Sequence, residues 1–216
     1  MLTIENVEVY GWEAAIRGMR NPKNSWHRSD SYWTYIEDPE THERARYEFF
    51  MGDRDLALAR GLAQMGPDHG KYTRFITVTL DITAPFYFWK EFDTYKIGTV
   101  ANSCSTMHTI TDREIDMEDF SIEHLKPTCM PVFAQLLQLI NLHRVAYNTT
   151  GNKYHWWQII QLLPSSFNQR RTVLLNYAVL RNMYHARKNH KLDEWHTFCE
   201  WIESLPYAKE LIIGGV

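Results

Sequence analysis

The residues best suited to chemistry crowd into one stretch, Trp156 to Pro206. Arg170, Arg171, Arg181, Arg187 and Lys188 are interleaved there with the amides of Asn176 and Asn182, inside helical patterns that a purely structural segment would fill with apolar residues. A guanidinium fork pairs two phosphate oxygens at once, and an Asn side chain matches the donor and acceptor edge of a pyrimidine or flavin ring. At about 100° per residue, Asn176, Leu180, Met183 and Arg187 share a narrow sector of one helix, so Asn176 and Arg187 are expected on one side. A neighbouring sector collects Arg171, Ala178, Asn182, His185 and Asn189. Arg170, Arg181 and Lys188 read more simply as solvated cations of an outer face. A second candidate segment, IGTVANSCSTMHTI after Lys96, is rich in small and hydroxyl side chains and lets main chain approach a ligand closely.

Other chemistries find no support. Ten histidines are present, but no HExxH occurs, and His185 and His190, five apart, would point about 140° apart on a helix, so no metal site is expected. The chain has no GxSxG elbow, GxGxxG turn or Walker loop. Cys104, Cys129 and Cys199 are scattered and form no CxxC pair, which suits a reducing, cytoplasmic setting, and Cys104 reads as a packed thiol more readily than as a nucleophile. A formal charge of -3 argues against general nucleic-acid binding, although a local Lys/Arg cluster can still hold a phosphate. With 216 residues and 44% hydrophobic content, a single domain spanning 1–216 is expected. The start lacks the pattern of a signal peptide, and no run approaches the ~20 apolar residues of a spanning helix, so a soluble protein without membrane contact is expected.

The elements that must position these residues follow from periodicity. Leu2, Ile4, Val7 and Val9 suggest a strand before Gly11, followed by a helix over Trp12 to Met19. Residues 20 to 54 are polar, broken by Asn-Pro and Asp-Pro, and read as a long excursion that covers a site, with one helix from Glu40 to Phe50. A capped helix runs from Asp53 or Asp55 to Gly66. YTRFITVTLDIT is the clearest strand, with Ile76, Val78, Leu80 and Ile82 on one face, and Pro85 then opens an aromatic helix. Helices are expected over Ile115 to His124, Pro131 to Asn148, Tyr154 to Leu163, Asn168 to Asn189 and Leu192 to Pro206. The fold class is α+β, with a central, largely antiparallel sheet flanked by helices and a helical C-terminal half.

Strand, aromatic helix, hydroxyl-rich loop and C-terminal Asn/Arg helix together resemble the flavin-dependent thymidylate synthases, over roughly residues 55 to 205. The best match is LLPSSFNQRRTVLLNYAVLRNMYHARKNHKLDEWHTF. The resemblance implies that Asn176 and Asn182 lie near flavin and nucleotide, and that Arg187 binds and polarises the uracil ring. His69 and Lys96 would join the cofactor site. The family's signature of Arg-His-Arg, two serines and a final Arg falls on Thr94-Tyr95-Lys96, Thr99, Cys104 and Thr106, or on Ser105 with a one-residue shift, so Thr99, Cys104 and Ser105 are the implied nucleotide contacts. Arg74-Phe75 stands where the family carries Glu-His, and Ala178 replaces a helix arginine. The implied activity is reductive methylation of dUMP or a related pyrimidine nucleotide, with FAD as cofactor and NADPH and methylene tetrahydrofolate as co-substrates. A homotetramer with sites shared between subunits is implied as well. Two alternatives stand beside it: a non-catalytic nucleotide- or partner-binding protein on the same fold, and an interaction protein using the aromatic surface of residues 26 to 50.

Overall fold

The computed structural model describes residues 2–37 and 44–214. In chain order, β1 (Thr3–Tyr10) and α1 (Trp12–Arg20) lead into a hairpin, β2 (Tyr32–Glu37) and β3 (Arg44–Phe50), then α2 (Asp53–Gln64) and β4 (Thr77–Pro85). There follow α3 (Phe86–Phe92), β5 (Val100–Ser103), the single turn α4 (Thr106–Thr109), and the helical pair α5 (Met130–Thr150) and α6 (Lys153–Leu162). The chain continues through β6 (Asn168–Asn176), α7 (Tyr177–Arg187), α8 (Asp193–Glu203) and a short π-helix, Lys209–Ile213.

The main sheet has the order β1-β4-β6-β5, with every pairing antiparallel, and helices flank it in an α+β fold. β4 sits inside because its alternation is strict. Val78, Leu80, Ile82 and Ala84 are buried on one face, where they pack with Phe88, Trp89, Leu175, Tyr177, Trp195 and Phe198. The opposite face is polar: Asp81 accepts from Thr172 Oγ1 (2.6 Å), Arg170 Nη2 (2.8 Å) and Asn6 Nδ2 (2.8 Å), and these donors hold its carboxyl well below the usual range. A second core, centred on Ile140 and Ile159, lies under α5 and α6 with Phe120 and Ile115.

Several sequence expectations hold and several do not. α2, α5, α6 and α8 form where periodicity places them. The helix expected from Asn168 to Asn189 is instead a nine-residue strand followed by α7. The reason lies in the spacing of its core residues: Val173, Leu175 and Tyr177 are two apart, and Val173 to Tyr177 is four, a separation that suits a strand face and a helix face alike. Nine residue pairings with β4, from Thr77 with Asn176 to Pro85 with Asn168, decide it. The hydroxyl-rich segment contains edge strand β5, unforeseen because its four residues are all exposed. The described part of the expected Glu40–Phe50 helix is strand β3, drawn into register by aromatic pairs across from β2, Trp33 with Phe49 and Tyr35 with Tyr47; the rest lies outside the described residues. Ile115 to His124 gives only a 3-10 turn, Met117–Asp119, closed by an Asp116/Asp119 capping box. Tyr72 to Phe75 belong to a 3-10 turn rather than to β4.

The excursion is tied to the body by a buried carboxylate. Asp55 is fully buried and accepts from Arg20 Nε (2.6 Å), Ser29 Oγ (2.7 Å), Ser31 Oγ (2.6 Å) and the Asp30 and Ser31 amides (both 3.1 Å). Burial by itself would raise its pKa, but these donors outweigh it and the net shift is downward. Trp12 stacks on Phe49 at 5.6 Å and fixes the base of the hairpin.

Candidate functional site

Helix α7 places the candidate residues, and its two ends treat them differently. Asn176 stands at the junction of β6 and α7 in extended conformation, and its side-chain oxygen accepts the Val179 amide at 3.0 Å, so it caps the helix. The expectation that Asn176 and Arg187 project from one continuous helix is therefore corrected: Asn176 precedes the helix and Arg187 is its last residue. They are nevertheless joined by the segment Tyr95 to Thr99. Gly98 has φ +79, and a Cβ there would fall 2.8 Å from Asn176 Nδ2, so only glycine allows this close approach. Thr99 Oγ1 donates to the Tyr95 carbonyl and closes the segment on itself.

Arg187 is not a free cation. Its Nε donates to Tyr95 Oη (2.8 Å), its Nη1 to Glu91 Oε2 (2.7 Å), and its guanidinium lies 4.9 Å from the Trp195 ring centre. Glu91 Oε2 also accepts Trp195 Nε1 (3.2 Å) and contacts His190 Nε2 (3.1 Å). The Leu192 amide donates to His190 Nδ1 (3.2 Å), which assigns the imidazole proton to Nε2 and makes that contact a donation to Glu91. The guanidinium is thus fixed in one orientation and neutralised by a carboxylate. Sequence reasoning misses Glu91, Tyr95, His190 and Trp195. The available signal is Glu91, the one acid of a mainly aromatic helix, four residues before Tyr95.

The other candidates separate. Lys96 lies in the same segment, beside the Gly98 contact with Asn176. β5 runs antiparallel to β6, so it carries the chain away from α7. Val100 pairs with Leu174, and the Cys104 amide donates to the Arg170 carbonyl at 2.9 Å, at the far end of β6. Cys104 and Ser105 therefore lie near Gln169, whose Nε2 donates to the Cys104 carbonyl (2.9 Å), and not beside Arg187. The Cys104 thiol is exposed, against the expectation of a packed one. Ser105 precedes α4 and accepts Thr109 Oγ1 on its carbonyl at 2.9 Å.

Asn182 faces a cavity of about 580 Å³ with Ala178, Arg181 and His185 from α7, Arg74 and Thr73 from the turn before β4, and Gln64, Gly66 and Gly70 around the end of α2. Arg74 and Arg181 supply positive charge, and no carboxylate lines the cavity among the described residues. The side chains of Arg74, Gln64 and Asn182 make no hydrogen bond or ion pair among the described residues, whereas Arg181 Nη1 donates to the Leu211 carbonyl at 3.4 Å. His185 Nε2 lies 3.2 Å from the Ile212 carbonyl, so it carries the proton and Nδ1 is left as an acceptor. Burial, with Arg181 and Lys188 nearby, lowers the His185 pKa. His69 is not in this cavity; it belongs to the turn at Met65 to Gly70 and lines a separate cavity on the turn's other side. Small side chains at Ala63, Gly66, Gly70 and Ala178 make a slot, and unpaired amides and a guanidinium border it. This is a donor set suited to a flat ring bearing carbonyl oxygens and phosphate.

No protein-family model matches the chain, and no curated protein matches it in sequence. Solved structures match it along its whole length. Flavin-dependent thymidylate synthase ThyX from Helicobacter pylori, complexed with FAD and dUMP, superposes with a TM-score of 0.67 at 15% identity, covering 97% of each chain. The chain has the fold of the flavin-dependent thymidylate synthases. A second structure of the Helicobacter pylori enzyme with FAD and dUMP gives 0.68 at 15% identity, over 98% of this chain and 97% of that one. The thymidylate synthase fold extends to a UMP/dUMP methylase, PolB from Streptomyces cacaoi bound with 5-Br dUMP, with a TM-score of 0.61 at 13% identity over 100% of this chain and 96% of that one.

Proposed function

We propose that this protein is a thymidylate synthase-like enzyme that methylates dUMP or a related pyrimidine nucleotide. The observation that carries the reading is the arrangement about α7: Arg187 immobilised at one end, and Asn182 with Arg74 on a carboxylate-free cavity along another side. Arg187, oriented by Tyr95 and Trp195, would donate to a carbonyl of the pyrimidine ring and polarise it. FAD would bind in the slot beside Asn182, where Arg74 would replace the charge that Ala178 lacks; reduced by NADPH, it would supply hydride, with methylene tetrahydrofolate as carbon donor. Lys96 and Thr99 approach the nucleotide from the Tyr95–Thr99 segment. Cys104 and Ser105, at the far end of β5, would serve the site of another subunit in a homotetramer, and light scattering of the purified protein tests that assembly.

The visible spectrum tests the enzyme reading. Flavin absorbance that survives gel filtration, with dUMP-dependent oxidation of NADPH, is the expected result. A colourless protein that takes up no flavin on titration would sink it. A second reading, a nucleotide-binding protein without catalysis, is favoured by one observation: Glu91 already neutralises Arg187. Tight binding of dUMP with no NADPH oxidation and no methylated product in the presence of both co-substrates would select it.

A further inference from the structure

Across the Met65–Gly70 turn from Asn182 lies the cavity that holds His69, about 950 Å³ in volume. Basic side chains converge on it from three separate segments: Lys23, His27 and Arg28 from two 3-10 turns, Arg54 from the first turn of α2, and His69. None of the five makes a side-chain hydrogen bond or ion pair among the described residues, and no carboxylate is among the described lining residues. Two nearby acids, Asp55 and Asp30, are already engaged, while Asp53 and Asp68 flank Arg54 and His69 in the chain without lining the cavity. Asp55 is occupied by Arg20, Ser29 and Ser31, and Asp30 accepts the amides of Arg54 (3.0 Å) and Asp55 (3.1 Å). In a chain whose formal charge is -3, these five exposed basic side chains form a local positive patch.

Two further features bear on the ligand. One wall is apolar, built by buried Met19 and half-buried Leu58 and Leu62 with exposed Met65 at its edge, so the site offers a surface to a hydrophobic or aromatic body as well as charge to an anion. The turn segment is also fixed before any ligand arrives: Arg20 Nη1 donates to the Ser25 carbonyl (3.3 Å), the Ser25 amide returns a bond to the Arg20 carbonyl (3.2 Å), and Ser29 is tied to Asp55. The backbone therefore adds little ordering cost on binding, and what remains is that of the cationic side chains. We propose that this cavity is a second binding site, independent of Arg187, for a multiply charged phosphate compound with a hydrophobic or aromatic body, of the nucleoside triphosphate class.

The test is calorimetric titration of the full chain with ATP and with inorganic tripolyphosphate at about 150 mM salt, where weak surface attraction is screened. Saturable binding of ATP at one site per chain, with Kd below about 1 mM, is expected. The triple variant Lys23→Ala/Arg28→Ala/Arg54→Ala should weaken it about tenfold or more, since each exposed contact is small and the three add. Arg187→Ala and the control Lys153→Ala/Lys191→Ala should bind ATP as the parent does. Should the triple variant fail to fold, Arg54→Gln alone, expected to weaken binding about threefold, replaces it. Unchanged affinity in the cavity variants, or no saturable ATP binding, overturns the proposal. Tight binding of a single-stranded oligonucleotide without binding of ATP would overturn the small-ligand assignment as well.

Discussion

Two sides of α7 hold their cations in opposite ways. Arg187 is clasped between Glu91, Tyr95 and Trp195, whereas Arg74, across the Asn182 cavity, has no partner among the described residues. A paired guanidinium is held in one place only because its charge is already answered, so a ligand there must exchange one interaction for another. An unpaired guanidinium gains the whole interaction when an anion arrives. The first arrangement suits orientation of a neutral ring, and the second suits capture of a charged group.

The largest expected effect is on the clasped side. Arg187→Ala should weaken dUMP binding about 30-fold, the scale of a charge-assisted hydrogen bond, while far-ultraviolet circular dichroism stays unchanged. Equal affinity in that variant would break the assignment of the ring to Arg187. Glu91→Ala should lower stability by about 1–2 kcal/mol, because a guanidinium only 19% exposed loses its counter-charge; urea unfolding measures it. A variant as stable as the parent would mean that the clasp does not hold the arginine. On the open side, Arg74→Ala should cost about tenfold in FAD affinity and leave riboflavin affinity, which involves no phosphate, unchanged. Asn176→Ala should cost about 1 kcal/mol through the lost helix cap, with Asn176→Ser recovering most of it; equal loss in both would shift the weight to the Gly98 contact. The smallest effect concerns pH. The His185 pKa is lowered on folding, so its contribution to stability is full above about pH 6.5 and declines as pH falls below that value. FAD phosphate near Arg74 and Arg181 should move the His185 titration upward in an NMR experiment.

The contrast between the two sides is only partly legible in the chain. Helical spacing groups Asn182, Ala178 and His185 in one sector, and the structure does bring them together on one cavity. Arg187 stands out in the sequence as an unusual cation, but Glu91 lies 96 positions away, and no local rule connects a helix end to an acid at that separation. Periodicity pairs Asn176 with Arg187 for the wrong reason: the shared helix does not exist, and Gly98 and Tyr95 supply the connection. His69, which the family resemblance assigns to the cofactor, lies with Lys23, His27, Arg28 and Arg54 on the other side of the Met65–Gly70 turn from Asn182, and that turn depends on the positive φ of Gly66, which periodicity does not signal.

Alternation in Thr77 to Pro85, helical periodicity and proline stops determined most of the helices and the inner strand β4, because those signals act over a few residues and depend on local geometry alone; the cap expected of Asp53 or Asp55 did not form, since Gly52 precedes α2 and no side chain caps it. Tertiary structure decided the state of Asn168 to Asn176, whose core spacing satisfies both periods until β4 and β5 claim its backbone donors and acceptors from either side. It also decided which arginine is paired and which is free, since the cost of a buried charge depends on what packs beside it, and packing joins residues that the sequence leaves far apart.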